Sequence, residues 1–188
     1  MVEVRIFLLA VFALVSSVVV AQKQYVLTGG SSITISGTST ISDWKVRSQA
    51  PVGKLVLEQS GKISTVEVVL PVESIKSERG ETMDNKMYGA LKKEEHPRIF
   101  FVLSKPVELG KAGSTVASGE VTIAGVSRPM SFDVEVDHKN GQVSVVGRKS
   151  VKMTAFGVEP PTAMFGQIVA GDDIVVDLNL IFAIGNEQ

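Results

Sequence analysis

The chain has 188 residues, a formal net charge of −1, 44% hydrophobic and 6% aromatic residues, and no cysteine. Near-neutral charge supplies neither the electrostatic footprint of a nucleic-acid binder nor a basic block for anionic membranes. The missing thiols exclude disulfides and cysteine-based metal sites, so a domain of this length must rest on its core.

The first residues read as a leader. Arg5 is the one early cation, offset by Glu3, and residues 6–20 are apolar apart from Ser16 and Ser17. The run closes on Val19-Val20-Ala21 ahead of Gln22-Lys23, which is a signal-peptide pattern with cleavage expected after Ala21. The run is short for a membrane span, which takes roughly 20 residues; an uncleaved anchor is the alternative. Residues 1–21 are therefore assigned to a signal peptide and 22–188 to one domain.

From residue 24 onward the chain alternates with a period of two. Strands are predicted over 24–28, 32–37, 44–48, 53–58 and 66–71. Val66, Val68, Leu70 and Val72 point one way, and Glu67 and Glu73 the other. Residues 81–93 change period: Met83, Met87, Ala90 and Leu91 recur at helical spacing, with Asp84, Lys86, Lys92 and Lys93 polar. His96-Pro97 stops this helix. Strands resume over 98–103, 115–123, 130–137, 142–153 and 173–183. Met130, Phe132, Val134 and Val136 oppose Ser131, Asp133 and Glu135, and a stripe from Ile174 through Val176, Leu178, Leu180 and Phe182 to Ile184 opposes Asp177 and Asn179. Lys139-Asn140-Gly141 is a tight-turn signal, and residues 124–129 break two further strands. Long, one-sided, sequentially paired strands favour a closed antiparallel barrel, because closure removes exposed edges.

Signals for catalysis are weak. The two histidines, His96 and His138, are not spaced as metal ligands. Asp172-Asp173 reads as a turn or edge pair, since a calcium loop needs more alternating oxygens. No phosphate loop, nucleophile elbow or zinc-protease helix occurs. The informative feature is the kind of apolar residue on the inward faces: Phe101, Phe132, Phe182, Met130 and Met153, with Met83 and Met87 on the helix. Methionine adapts to irregular shapes, so such walls suit variable apolar ligands. A packed core gives the same pattern, and an eight-stranded barrel can be either filled or hollow.

At this point the chain resembles the YceI-like family, the lipocalin-like polyisoprenoid-binding proteins of bacteria, over about residues 25–184. The resemblance rests on an ordered set. Gly37-Thr38-Ser39-Thr40 with Asp43-Trp44 comes first, then Met83, Met87, Ala90 and Leu91 followed by Pro97, Ile99 and Phe101. Gly119 and Thr122-Ile123-Ala124-Gly125-Val126 with Pro129 come next, then Met153-Thr154, Phe156-Gly157 and Pro160-Pro161, and last Gly171-Asp172. Ser42, Ala155 and His96 depart from its pattern. It implies an all-β fold, an extended eight-stranded antiparallel lipocalin-like barrel with one helix capping an end, around an elongated apolar cavity for an isoprenoid chain such as a quinone tail or polyprenyl carrier.

The expected ligand-binding residues are Met83, Met87 and Leu91 on a gating helix, Trp44 and Phe156 near loop rims, and Phe101, Phe132, Val134, Met153, Leu178, Leu180 and Phe182 on the walls. No catalytic residue, metal or cofactor is expected. The expected partner is an isoprenoid or other long apolar lipid, with transient membrane contact and no nucleic acid. The protein is expected to be a monomer or homodimer, periplasmic or secreted. Two other readings stay open: an interaction protein with a filled core, and an enzyme on a lipidic substrate, which would need polar groups such as His96 or Asp43 turned inward.

Overall fold

The computed structural model describes residues 22–108 and 113–185. The leader expectation falls on residues 1–21, outside the described residues. In chain order the strands are β1 (Gln22–Leu27), β2 (Ser32–Ser39), β3 (Trp44–Ser48), β4 (Val52–Glu58), β5 (Lys62–Pro71) and β6 (Lys76–Ser77). Helix α1 (Glu81–Ala90) precedes β7 (Arg98–Leu103), β8 (Val107–Glu108), β9 (Ser114–Ile123), β10 (Val126–Lys139) and β11 (Gln142–Lys152). A 3-10 turn (Met153–Phe156) leads to β12 (Thr162–Ala163), a second such turn (Met164–Gly166) and β13 (Ile168–Ile184).

The many segments reduce to eight staves. β1 and β2 pair with successive stretches of β13, Leu27 opposite Phe182 and Ile33 opposite Leu178, so together they form one interrupted strand. β4 and β3 lie against β1 and β2 in the same way. The order β1-β4-β5-β7-β9-β10-β11-β13 closes through the β1–β13 pairing, and every pairing is antiparallel. This is the closed eight-stranded barrel that the alternation and the resemblance lead one to expect. The stripe on β10 faces in, with Phe132, Val134 and Val136 buried and Ser131, Asp133 and Glu135 exposed.

Two hairpins turn on paired left-handed residues, Ala124 (φ 48°) with Gly125 (φ 81°) and Asn140 (φ 53°) with Gly141 (φ 73°). Such two-residue turns match the right-handed twist of the strands they join. The first turn is tighter than expected: β10 starts at Val126 and carries Pro129 opposite Glu120. β13 likewise starts at Ile168 rather than at 173, with a bulge between Ala170 and Ile174, so Asp172-Asp173 belongs to a strand and not to a turn. Its stripe stops short of the expected end, because Ile184 is exposed. Val72, read as part of the β5 stripe, is buried but lies in a 3-10 turn beyond it.

Helix α1 is shorter than the periodicity predicts, ending at Ala90 instead of 93. Lys92 flips to φ 53°, and the N–H groups of Lys92 and Lys93 return to the carbonyls of Gly89 and Tyr88. That is a Schellman stop made without glycine. The lysines thus lie beyond the helix and not in its last turn. Asp84, read only as one of the polar positions of the helix, is buried.

Gly119 on β9 admits the ring of Phe101. A Cβ at Gly119 would sit 2.5 Å from that ring and against the carbonyl of Val102. Gly119→Ala is therefore expected to displace Phe101 from the barrel wall and to cost about 1–3 kcal/mol in a urea unfolding experiment.

Candidate functional site

The barrel encloses a cavity of about 310 Å³ whose lining runs along β13 from Ala170 to Phe182. Alternation explains the lining: Ile174, Val176, Leu178, Leu180 and Phe182 project inward from one strand, and Met130, Phe132, Val134 and Val136 from β10. Phe101 meets Phe132 edge to face, ring centroids 5.6 Å apart at 86°. The floor lies around Leu55 and Phe182, with Tyr25 and Val143 packed behind it; each of the four is at most 1% exposed. Tyr25 Oη lies 3.1 Å from His138 Nε2, sealing that end with a polar contact outside the cavity.

The mouth is at the opposite end. Ser39 and Trp44, Arg79, Met83 and Lys86, and Thr162 converge there from the β2–β3 turn, the loop before α1, α1 itself and the β12 hairpin. α1 lies over this end, presenting Met83, Met87, Ala90 and Leu91 to the cavity. Its other face is tied down by polar groups. Asp84, 5% exposed, accepts the Ser77 backbone N–H at 2.7 Å and lies 3.6 Å from the Lys76 ammonium. Lys76 donates to Tyr88 Oη at 2.7 Å, within 3.0 Å of the Ile75 carbonyl. The Lys76 ammonium is held above its usual value, mainly by the Tyr88 hydrogen bond.

All twelve residues singled out in the sequence line this one cavity: Trp44, Met83, Met87, Leu91, Phe101, Phe132, Val134, Met153, Phe156, Leu178, Leu180 and Phe182. Phe156 differs from expectation in depth, being 2% exposed and part of the core rather than a rim residue. Neither His96 nor Asp43 lines the cavity. Instead, the His96 ring packs against Gly125, where a Cβ would fall 2.5 Å from Nε2. Among the described residues no cluster of acids and histidines could hold a metal. Sequence reasoning missed Arg79 and Lys86, which occupy a loop and a polar helix position with no periodic signal.

Trp44 gives a direct reading of the mouth. Its indole N–H donates to the Thr38 carbonyl at 2.9 Å, and its ring covers Gly37, where a Cβ would meet it at 2.5 Å. It is the single tryptophan of the chain. Brominated fatty chains loaded into the cavity are expected to quench its fluorescence, whereas water-soluble bromide is expected to do so only weakly once the cavity is full.

Met153 and Phe156 are set by the 3-10 turn that Asp172 pins. Thr154 donates its N–H and its hydroxyl to Asp172 at 2.8 and 2.7 Å. These bonds, the backbone one first, hold the Asp172 carboxyl below its ordinary value of 3.8, with Lys152 adding a smaller pull. A lowered carboxyl contributes stability above its unfolded value and loses that contribution as pH falls through the folded one. Asp172→Asn should therefore melt below wild type near neutrality, and the two melting curves should converge in acid.

A closed antiparallel barrel around an apolar cavity, with one helix over its mouth, defines a lipocalin-like fold. The chain belongs to the YceI-like domain family, which matches residues 18–182. Three solved structures share the fold. Burkholderia cenocepacia BcnA has a TM-score of 0.68 at 15% identity, covering 82% of this chain and 98% of that one. A polyisoprenoid binding domain from Saccharophagus degradans, implicated in plant cell wall breakdown, gives 0.67 at 12%, covering 88% and 100%. The Campylobacter jejuni YCEI protein gives 0.62 at 21%, covering 79% and 88%. No curated protein matches the chain.

Proposed function

We propose that the protein binds one linear apolar lipid, of isoprenoid type, inside the barrel, and acts as an exported carrier or scavenger without catalysis. The observation that carries this reading is the cavity lining, which follows β13 from Ala170 to Phe182 and includes Arg79 and Lys86 as its charged side chains, both near the mouth. That stretch of strand is roughly 40 Å long at about 3.3 Å per residue. A lining that long and almost wholly apolar suits an extended hydrocarbon chain. The Saccharophagus degradans neighbour, described as a polyisoprenoid binding domain, supports the choice of a chain.

The energetics favour exchange. Each methylene buried from water gains about 0.8 kcal/mol, but a lipid moved from a bilayer into an apolar barrel gains little of this. Affinity then rests on shape fit and on contacts at the mouth, which suits reversible loading. Export follows from the leader expected over residues 1–21. The test is native mass spectrometry of detergent-free protein, followed by organic extraction. An extractable chain lipid at near one per protein is the expected result. A mass that stays lipid-free after incubation with quinones and polyprenols would replace this reading with a filled-core interaction protein.

A further inference from the structure

The hairpin of β12 and the start of β13 carries an apolar tip that the barrel does not use. Thr162 pairs with Val169 and Ala163 with Ile168. Between them Met164 and Phe165 adopt φ of 50° and 54°, a region that residues with a Cβ rarely occupy, before Gly166 at 87°. This backbone turns both side chains out: Phe165 is fully exposed and Met164 is 64% exposed. Across from it, the Thr40 N–H donates to the Val169 carbonyl at 3.1 Å and its hydroxyl to the Gln167 carbonyl at 3.2 Å. These bonds hold the segment that carries Ile41, 66% exposed, against the same hairpin. Single exposed valines occur elsewhere on the barrel strands and need no explanation. A cluster of large apolar side chains at one tip marks an interaction surface.

The tip stands at the cavity mouth. Thr162, Ala163 and Ile168 line the cavity themselves, and Lys86 Nζ donates to the Thr162 carbonyl at 3.0 Å. On the other side Arg79 donates to the Ser42 hydroxyl at 2.7 Å and to the Asp43 carbonyl at 2.8 Å. Both cations are thus anchored through neutral oxygens, and among the described residues neither is in an ion pair. The acids nearby, Asp43 through the fold and Glu78 and Glu81 in the chain, do not line the cavity.

We propose that this end of the barrel docks on a lipid bilayer. Ile41, Met164 and Phe165 enter the boundary between headgroups and acyl chains, Arg79 and Lys86 meet anionic headgroups, and the cavity opens onto the acyl layer. Apolar insertion flanked by cations is the combination that holds proteins at such a boundary. A second copy of the chain fits less well, because a convex tip of three or four side chains offers far less area than a stable dimer buries. The inference rests on the lipid-binding reading for its purpose, whereas the tip's geometry stands without it.

The test is flotation of the purified protein with phosphatidylcholine vesicles, with and without phosphatidylglycerol, alongside native mass spectrometry of its cargo. Wild type is expected to float, and Met164→Ser/Phe165→Ser to lose roughly tenfold or more in partitioning while keeping its cargo. Arg79→Gln/Lys86→Gln is expected to weaken binding to the phosphatidylglycerol vesicles and to leave binding to phosphatidylcholine alone unchanged. Wild type that stays with the soluble fraction, or a serine variant that floats as well as wild type, overturns the proposal. So does a serine variant that turns a dimer into a monomer by light scattering, which would assign the tip to self-association. Wild type that floats but never holds a lipid overturns the carrier reading and leaves the docking surface standing.

Discussion

Phe132→Asp is expected to empty the barrel. Phe132 is 8% exposed at mid-wall and braced edge to face by Phe101. Losing the ring removes both its packing and the aromatic contact. The lining's cations, Arg79 and Lys86, lie at the mouth and not at mid-wall, so the incoming carboxylate must draw in water or take up a proton, at a cost of several kcal/mol. Lipid per chain should fall from near one to a small fraction, with a lowered melting temperature. Asp133→Asn, one residue on and facing solvent, should change neither. Phe132→Ala separates cargo loss from unfolding: it enlarges the cavity without charge, and a flexible chain can fill part of the space. A folded Phe132→Asp protein with undiminished lipid would mean that the cavity is not where the lipid lies.

Asp84→Ala should loosen the helix over the mouth and leave the barrel intact. The carboxylate takes the Ser77 N–H at 2.7 Å in a site 5% exposed, and a buried donor deprived of a charged acceptor loses about 1.5–3 kcal/mol. The Lys76 ion pair adds little, since that lysine side chain is 62% exposed. The helix carries Met83, Met87 and Leu91 on its cavity face, so local opening uncovers the cargo. Hydrogen exchange should rise across residues 81–90 while β10 and β13 stay protected, and lipid transfer to acceptor vesicles should speed up roughly tenfold, the equivalent of about 1.4 kcal/mol. Unchanged exchange in α1 would show that apolar packing alone seats the helix.

Much of this architecture was legible because period-two alternation is a local property. The inward stripes on β10 and β13 could be read directly, and with them most of the cavity wall. The resemblance supplied what periodicity leaves open, namely a hollow barrel with a helix over one end. What escaped depends on partners distant in sequence. Asp84 looks like an ordinary surface acid until Ser77 is folded beneath it. Asp172 and Asp173 read as a turn because their partners, Thr154 and Lys152, lie about twenty residues back. The end of α1 turned on one left-handed lysine, a conformation that composition does not announce. Arg79 and Lys86 sit in a loop and on a polar helix position, where only the closed fold reveals the cavity beside them.

The sealed floor has a consequence for selectivity by length. With Phe182 fixed and Tyr25 and Val143 packed solid behind it, a chain entering from the mouth meets a stop it cannot push through. Chains that end short leave unfilled space whose wall atoms lack contacts, and chains that run long leave carbon outside in water. On the proposed function the barrel would act as a ruler, with its zero mark at Phe182 and its scale set by the staves. Lipids extracted from it should cluster around one carbon count even when drawn from a mixed pool, and trimming Phe182 to leucine should move that cluster towards longer chains.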